Sequence, residues 1–317
     1  MTIVRFVLRR IVALVLTLVV ASVVIYGLLF ISPGDPATLL VGGGKPNPEV
    51  VARIHQEYHL DDPFFSQYGR WATGVLRGDL GRSMAYRDDV SHLLLGRIPN
   101  TLLLVLFAGV LIVIFGIGGG TLAGLRGGRV ETAVTVGSSV AMAFPTFVVA
   151  VFLIAIFSTQ LSWFPVFGAG QGLGDKLWHL TLPAISLALA YIAWVARVTQ
   201  VSVRGELGSE HVDAARSRGL PNRWIVRRHV LRNASPPILA VSGLMIAGLF
   251  AGTAVAEEAF GIDGIGSLLV DSAAKQDLAV VQILSLMMVA AFVVVNTVVD
   301  VVNVALDPRQ AVKGRDS

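Results

Sequence analysis

The sequence predicts an all-α polytopic membrane protein of about six transmembrane helices, with both termini cytoplasmic and a small extracytoplasmic cap after helix one. Three observations predict it. Hydrophobic residues fill 54% of the 317 positions and charged residues 15%, where soluble domains carry roughly 25% charged residues. The mean hydropathy is +0.72. Apolar runs near the roughly 20 residues that cross a hydrocarbon core occur six times, at about 11–31, 100–125, 132–157, 182–201, 236–255 and 280–305. These runs divide the chain into an N-terminal helix (1–31), the cap (32–99), a core of five helices (100–305) and a cytoplasmic tail (306–317).

The first run follows Arg5, Arg9 and Arg10 as a secretory signal would. It exceeds the roughly 7–15 residues of a signal's apolar region, and its end at Ile31-Ser32-Pro33-Gly34-Asp35 offers no small-x-small cleavage site. It is read as a retained helix. The segment 32–99 then mixes charges and turn residues with Tyr58, Phe64, Phe65, Tyr68 and Trp71, which suits a folded cap. Gly42-Gly43-Gly44-Lys45 inside it lacks the flanking Gly and Ser/Thr of a phosphate loop, since Leu39 and Pro46 stand there. His55 and His59 lie at i and i+4, a spacing able to hold a metal. No third ligand is identifiable, so they read as a solvated pair, and no metal or cofactor is expected.

Helix two carries Gly116, Gly120 and Gly124, and helix five Gly248 and Gly252, each a small-residue stripe for close packing. Pro145 falls within the third run, where it removes a helix hydrogen bond and bends the chain. In helix six Asn296, Asp300 and Asn303 share a face. A carboxylate there turns from lipid toward protein or water, and pairing with an arginine at the cytoplasmic end is the expected outcome.

Orientation follows from short loops, because Lys/Arg accumulate on the cytoplasmic side. Arg5, Arg9, Arg10, Arg126, Arg129, Arg309, Lys313 and Arg315 mark that side, joined by Arg197, Arg204, Arg216, Arg218, Arg223, Arg227, Arg228 and Arg232 around the connection between helices four and five. The opposite loops, 158–181 and 256–279, contain only Lys176 and Lys275 among their Lys and Arg. Topology thus accounts for the +4 charge without nucleic acid. The absence of cysteine excludes disulfides, thiolate metal sites and cysteine chemistry. Gly-x-Ser-Gly does not occur, and Gly172-Leu173-Gly174-Asp175, a Gly-x-Gly-Asp, falls in the loop 158–181 outside the expected helices.

The connection at about 202–235 is the most informative segment. Ser209 is placed to cap a helix with Glu210 and Asp213 in its early turns. Ala214-Ala215 follow as a low-relief patch, then Arg216, Arg218 and a helix-ending Gly219. A second short helix is expected from Asn222, after Pro221, with Trp224 and Ile225 among arginines at the membrane interface.

Asp213-Ala214-Ala215-Arg216-Ser217-Arg218-Gly219, continuing to Arg228-His229-Val230-Leu231-Arg232-Asn233, resembles the cytoplasmic coupling loop of ABC importer permeases, with Asp213 in place of a Glu. Six further segments are similar to the dipeptide/oligopeptide branch, first-permease (B-type), in order along nearly the whole chain. They are Ser32-Pro33-Gly34-Asp35-Pro36, Gly78-Asp79-Leu80-Gly81-Arg82-Ser83, Arg97-Ile98-Pro99-Asn100-Thr101, Leu180-Thr181-Leu182-Pro183-Ala184, the stretch from Glu257 to Gly266, and Leu306-Asp307-Pro308-Arg309.

The resemblance implies a heterodimer with a second homologous permease in the cell membrane. It also implies two ATP-binding subunits or a fused pair, an extracytoplasmic solute-binding protein and a peptide substrate. ATP hydrolysis would lie on those separate subunits, so the chain itself is expected to be no enzyme. By the same resemblance Glu210, Asp213, Ala214, Ala215, Arg216 and Gly219 would couple to the ATPase. Glu258, Phe260, Gly261, Gly264 and Gly266 would shape a re-entrant segment at the outer gate. Related branches carry nickel chelates, haem or glutathione. A proton-coupled carrier is the remaining alternative, though it would show polar interruptions in repeated halves, and no repeat is found.

Overall fold

The computed structural model describes residues 3–31, 48–57 and 61–306. The segments around Ser32-Pro33, Gly42–Lys45, Tyr58 and His59, and the tail from Asp307, with Arg309, Lys313 and Arg315, lie outside those residues.

The described chain is helical throughout its regular elements. Helix α1 (Ile3–Phe30) is followed by α2 (Pro48–Glu57), α3 (Phe64–Leu76) and α4 (Val90–Leu95), which belong to the cap. Helix α5 occupies 98–126, as Ile98–Leu111, a π-helical stretch Ile112–Ile117 and Gly118–Arg126. Helices α6 (Gly128–Ala143) and α7 (Thr146–Gln160) follow, then α8 (Gly172–Leu207), α9 (Glu210–Ser217), α10 (Asn222–Ala259), α11 (Ile265–Ala274) and α12 (Leu278–Leu306).

Five of these are long and apolar enough to cross a membrane, and α6 with α7 makes a sixth crossing if that pair counts as one. The pair is bent by 99°. Phe144 is extended and Pro145, with no N–H, begins the next helix, so the expected bend is a complete break. The second short helix starts where expected, at Asn222 after Pro221, but does not end as a separate element. Asn222 opens α10 directly, which runs through a π-helical stretch at Val226–Val230 into the bundle.

Helix α8 is the axis of the bundle, touching α5, α6, α7 and α10. Of its apolar stretch 56% is buried, against 11% in α1 and 17% in α12. The glycine stripe of α5 makes that centrality possible. A Cβ on Gly120 would stand 2.4 Å from the Ala196 carbonyl oxygen, and one on Gly124 2.8 Å from Val203 Cβ. No side chain fits in those gaps, so the backbones of α5 and α8 approach closely. Around them Leu104, Ala108, Ile112, Leu187, Val195 and Leu249 form the main core.

The cap is fastened to both flanking helices. Tyr26 of α1 packs edge-on to Phe64 and Tyr68 of α3, and the Ser22 and Tyr68 hydroxyls lie 2.8 Å apart. At the start of α12 the buried Asp277 carboxylate accepts Ser83 Oγ at 2.5 Å and the Ala85 N–H at 3.0 Å. Beneath this joint Val90, Leu94, Leu268, Val280 and Leu284 make a second core. At the far end Arg10 Nη1 meets Asp300 Oδ2 at 2.8 Å, which is the arginine pairing expected for Asp300. Helix α8 is longer than the run 182–201: it starts at Gly172, so Gly172-Leu173-Gly174-Asp175 lies in its first turn rather than in a loop, and it continues ten residues past Arg197 to Leu207.

Candidate functional site: a coupling helix and a carboxylate-pinned hairpin

Helix α9 is a two-turn projection between α8 and α10. Its acidic first turn, Glu210 and Asp213, faces the positive end of the helix dipole, worth about 0.3–1 kcal/mol per charge. Ser209 has the extended backbone of a cap residue but makes no side-chain cap. Its hydroxyl donates to the Glu206 carbonyl at 2.6 Å. The backbone carbonyl of Ser209 receives Val212 N–H and Asp213 N–H.

The other end closes as the sequence requires. Gly219 takes φ +73°, its N–H reaches the Arg216 carbonyl at 2.9 Å, and Leu220 N–H reaches Ala215 O at 3.3 Å. These two bonds form a Schellman motif, whose left-handed position suits glycine. Val212 and Ala215 are buried in a third core with Val203, Ile225, Val230, Ala234 and Ile238. Glu210, Asp213, Ala214, Arg216 and Gly219 remain exposed, and Arg216 pairs with Asp213 at 3.1 Å. The two alanines therefore differ: Ala215 roots the helix, and Ala214 belongs to its open face.

At the cap end of the bundle the chain reverses between α10 and α11. Glu257, in the last turn of α10, is fully buried, and its carboxylate reaches across the hairpin. Thr101 Oγ1 donates to Oε1 at 2.5 Å and the Ser267 N–H donates to Oε2 at 2.9 Å, with Gly266 N–H contributing as well. These N–H groups open α11, so the carboxylate satisfies donors that the helix cannot. Thr101 Oγ1 also accepts the Ile265 N–H at 2.9 Å. Beside it Asn100 donates to the Asp263 carbonyl at 2.9 Å and accepts from Lys176 Nζ at 2.8 Å.

The hairpin glycines have two separate causes. Gly261 has φ +56°, which favours glycine. Gly264 is extended, but a Cβ there would lie 2.1 Å from the Glu257 carboxyl carbon, and one on Gly266 would lie 2.6 Å from Ala254 Cα. Phe260 is buried and its carbonyl accepts Gly168 N–H at 3.0 Å. Thus Phe260, Gly261, Gly264 and Gly266 come together, whereas the Glu258 side chain is exposed and only its carbonyl takes part, accepting Gly261 N–H at 3.3 Å. Sequence reasoning selected Glu258 and missed Glu257, Asn100 and Thr101 as partners. Adjacent polar residues at the edges of two apolar runs were the available signal.

Residues 116–312 match the model of the binding-protein-dependent transport system inner membrane component. The chain belongs to that family. Residues 3–105 match the N-terminal membrane component of the same transport systems, so the permease family assignment includes α1 and the cap. The glutathione transport system permease protein GsiC of Escherichia coli K12 is 33% identical over 305 residues, covering 96% of this chain and 98% of that one. A probable peptide ABC transporter permease protein, y4tP of Sinorhizobium fredii, is 33% identical over 308 residues with the same coverage.

Among solved structures, an inward-facing conformation of the MetNI methionine ABC transporter aligns with a TM-score of 0.54 at 16% identity. It covers 68% of this chain and 97% of that one, a likeness of fold. This permease is therefore a multi-pass membrane component of an ABC importer, as the coupling-loop resemblance implied. Among the described residues no cluster of three metal-ligating side chains occurs, and His55 Nδ1 is occupied by Asp61 at 2.8 Å.

Proposed function

We propose that this permease carries di- or oligopeptides across the cell membrane, with both termini cytoplasmic and α9 as the element that receives force from the ATPase. The observation that carries the reading is the form of α9. It is a short helix rooted through Val212 and Ala215 in the ends of α8 and α10, with an acidic and alanine-bearing face open. A push on that face reaches both long helices directly, since they share one core with it. Movement of α10 reaches the hairpin in turn, because Glu257 lies on α10 and holds the start of α11.

In this reading Glu210, Asp213, Ala214, Ala215, Arg216 and Gly219 are the coupling element. Phe260, Gly261, Gly264 and Gly266 form the outer gate with Glu257 as its pin, and Glu258 faces outward at the same mouth. The partners are a second, homologous permease, two ATP-binding subunits or a fused pair, and an extracytoplasmic solute-binding protein. Hydrolysis occurs on those ATP-binding subunits. Glutathione is a second candidate solute, favoured by the 33% identity to GsiC, and it is itself a small peptide.

Affinity purification from the native membrane in mild detergent, followed by mass spectrometry, tests the assembly. Recovery of an ATP-binding subunit and a related permease is expected. Recovery of this chain alone would overturn the coupling reading.

A further inference from the structure

From Leu180 through Ala193 no residue of α8 is exposed. The half nearer α9 buries Val195, Ala196, Thr199 and Val203 against the glycines of α5 and leaves another face open. Trp194 (50% exposed), Arg197, Val201 (60% exposed) and Arg204 stand free at intervals of three, four and three residues, which puts them on one helix face. Arg197 is the single charged residue of the apolar run 182–201. Its side chain is held: Nη1 donates to Thr135 Oγ1 of α6 at 2.6 Å.

Thr135 is itself fixed by Gln200, whose Nε2 lies 3.2 Å from its hydroxyl and 3.3 Å from Glu131 Oε1. Gln200 is 3% exposed, so this anchor is a packed one. The acceptor it presents to Arg197 is a neutral hydroxyl, and no carboxylate of the described residues lies within ion-pair distance of the guanidinium. A hydroxyl engages one of five N–H donors. A positive charge within an apolar run is disfavoured against lipid and belongs beside water or an anion.

We propose that the open stripe of α8 is a wall of the translocation pathway, and that Arg197 there receives a carboxylate of the passing solute. The free edge of a guanidinium matches a carboxylate in two parallel hydrogen bonds, and the chain terminus of every unmodified peptide supplies one. Trp194, one turn earlier on the stripe, gives an apolar surface beside the charge. Thr135 and Gln200 are positioning residues that keep the guanidinium from folding back to the membrane surface. The carboxylate assignment rests on the peptide reading above, whereas the wall does not.

The test uses the assembled transporter in vesicles, with its permease partner, ATPases and binding protein. Uptake is measured for one peptide with a free carboxyl terminus and for its carboxamide. In Arg197→Gln the ratio of carboxylate to carboxamide uptake falls about tenfold or more, the scale of losing a charge-assisted contact, and Arg197→Lys recovers part of it. An equal loss for both peptides, or no loss, overturns the carboxylate site. An equal loss would assign Arg197 to contact with the partner permease.

The wall is read separately. The chain has no cysteine, so Val201→Cys and Leu187→Cys each introduce one thiol into this subunit, located by mass spectrometry. A water-soluble, membrane-impermeant thiol reagent labels Val201→Cys and spares the buried Leu187→Cys. An unlabelled Val201→Cys overturns the wall. If the wild-type complex carries neither peptide, the peptide reading and the carboxylate site fail together, and the labelling decides the wall alone.

Discussion

Thr101 and Glu257, 156 positions apart, meet at 2.5 Å between hydroxyl and carboxylate oxygens, and the same hydroxyl accepts the first N–H of α11. One side chain of α5 thereby fixes both arms of the hairpin. A buried carboxylate is tolerated only with its hydrogen bonds made, so the stability of this region depends on a few contacts.

Thr101→Val keeps the shape of the side chain and removes its hydroxyl. It should destabilise the detergent-solubilised protein by about 1–3 kcal/mol, the cost of leaving a buried acceptor unpaired. Thr101→Ser should recover most of that loss. Thermal aggregation of the purified protein reads both.

Gly264→Ala should be more damaging than its chemistry suggests, because the new methyl would overlap the Glu257 carboxyl group. Combining it with Glu257→Ala removes the obstacle, so the pair should be less destabilised than the sum of the single changes. The departure should fall in the range of about 0.5–3 kcal/mol typical of touching residues. Strict additivity in the melting data would show that the overlap is relieved by other movement.

Gly219→Pro and Ala215→Arg act on α9 by different routes. Proline is confined near φ −65° where Gly219 has φ +73°, and an arginine at position 215 has no room in the core that holds Val212 and Ile225. Each variant should insert in the membrane and lose ATP-driven uptake by an order of magnitude or more, while the ATPase subunits continue to hydrolyse ATP. Undiminished uptake in vesicles would sink the coupling role of α9.

Asp300→Asn should lower the yield of assembled protein more than it alters any pH dependence of uptake, because Asp300 is joined to Arg10 of α1. Arg10→Gln should cost less in the Asp300→Asn background than in the wild type. A selective loss of proton dependence would give Asp300 a role in transport rather than in assembly.

Much of the architecture was legible because membrane helices are local objects. A run of about 20 apolar residues must bond its own backbone in lipid, and the positions of α1, α5, α8, α10 and α12 follow from that. The end of α9 at Gly219 was equally local, since a left-handed residue is readable one position at a time. The partner of Asp300 could be named only as a class, an arginine at one end, as charge in lipid demands a counterpart.

What only the tertiary structure decided depends on which face of a helix meets which neighbour. The sequence presents Glu257-Glu258 as equivalents, and the last turn of α10 buries the first against Thr101 while turning the second outward. Ser209 has the identity of a capping residue, yet its side chain turns back to the Glu206 carbonyl on α8 and makes no cap. Arg197 falls within the fourth apolar run, and only the packing of α8 shows that it stands on the open face. The sequence by itself determined how many helices cross and where α9 stops, because backbone hydrogen bonding is satisfied within a few residues. The pinned hairpin and the open stripe required the fold, because Thr101 meets Glu257 and Thr135 meets Arg197 across more than sixty positions.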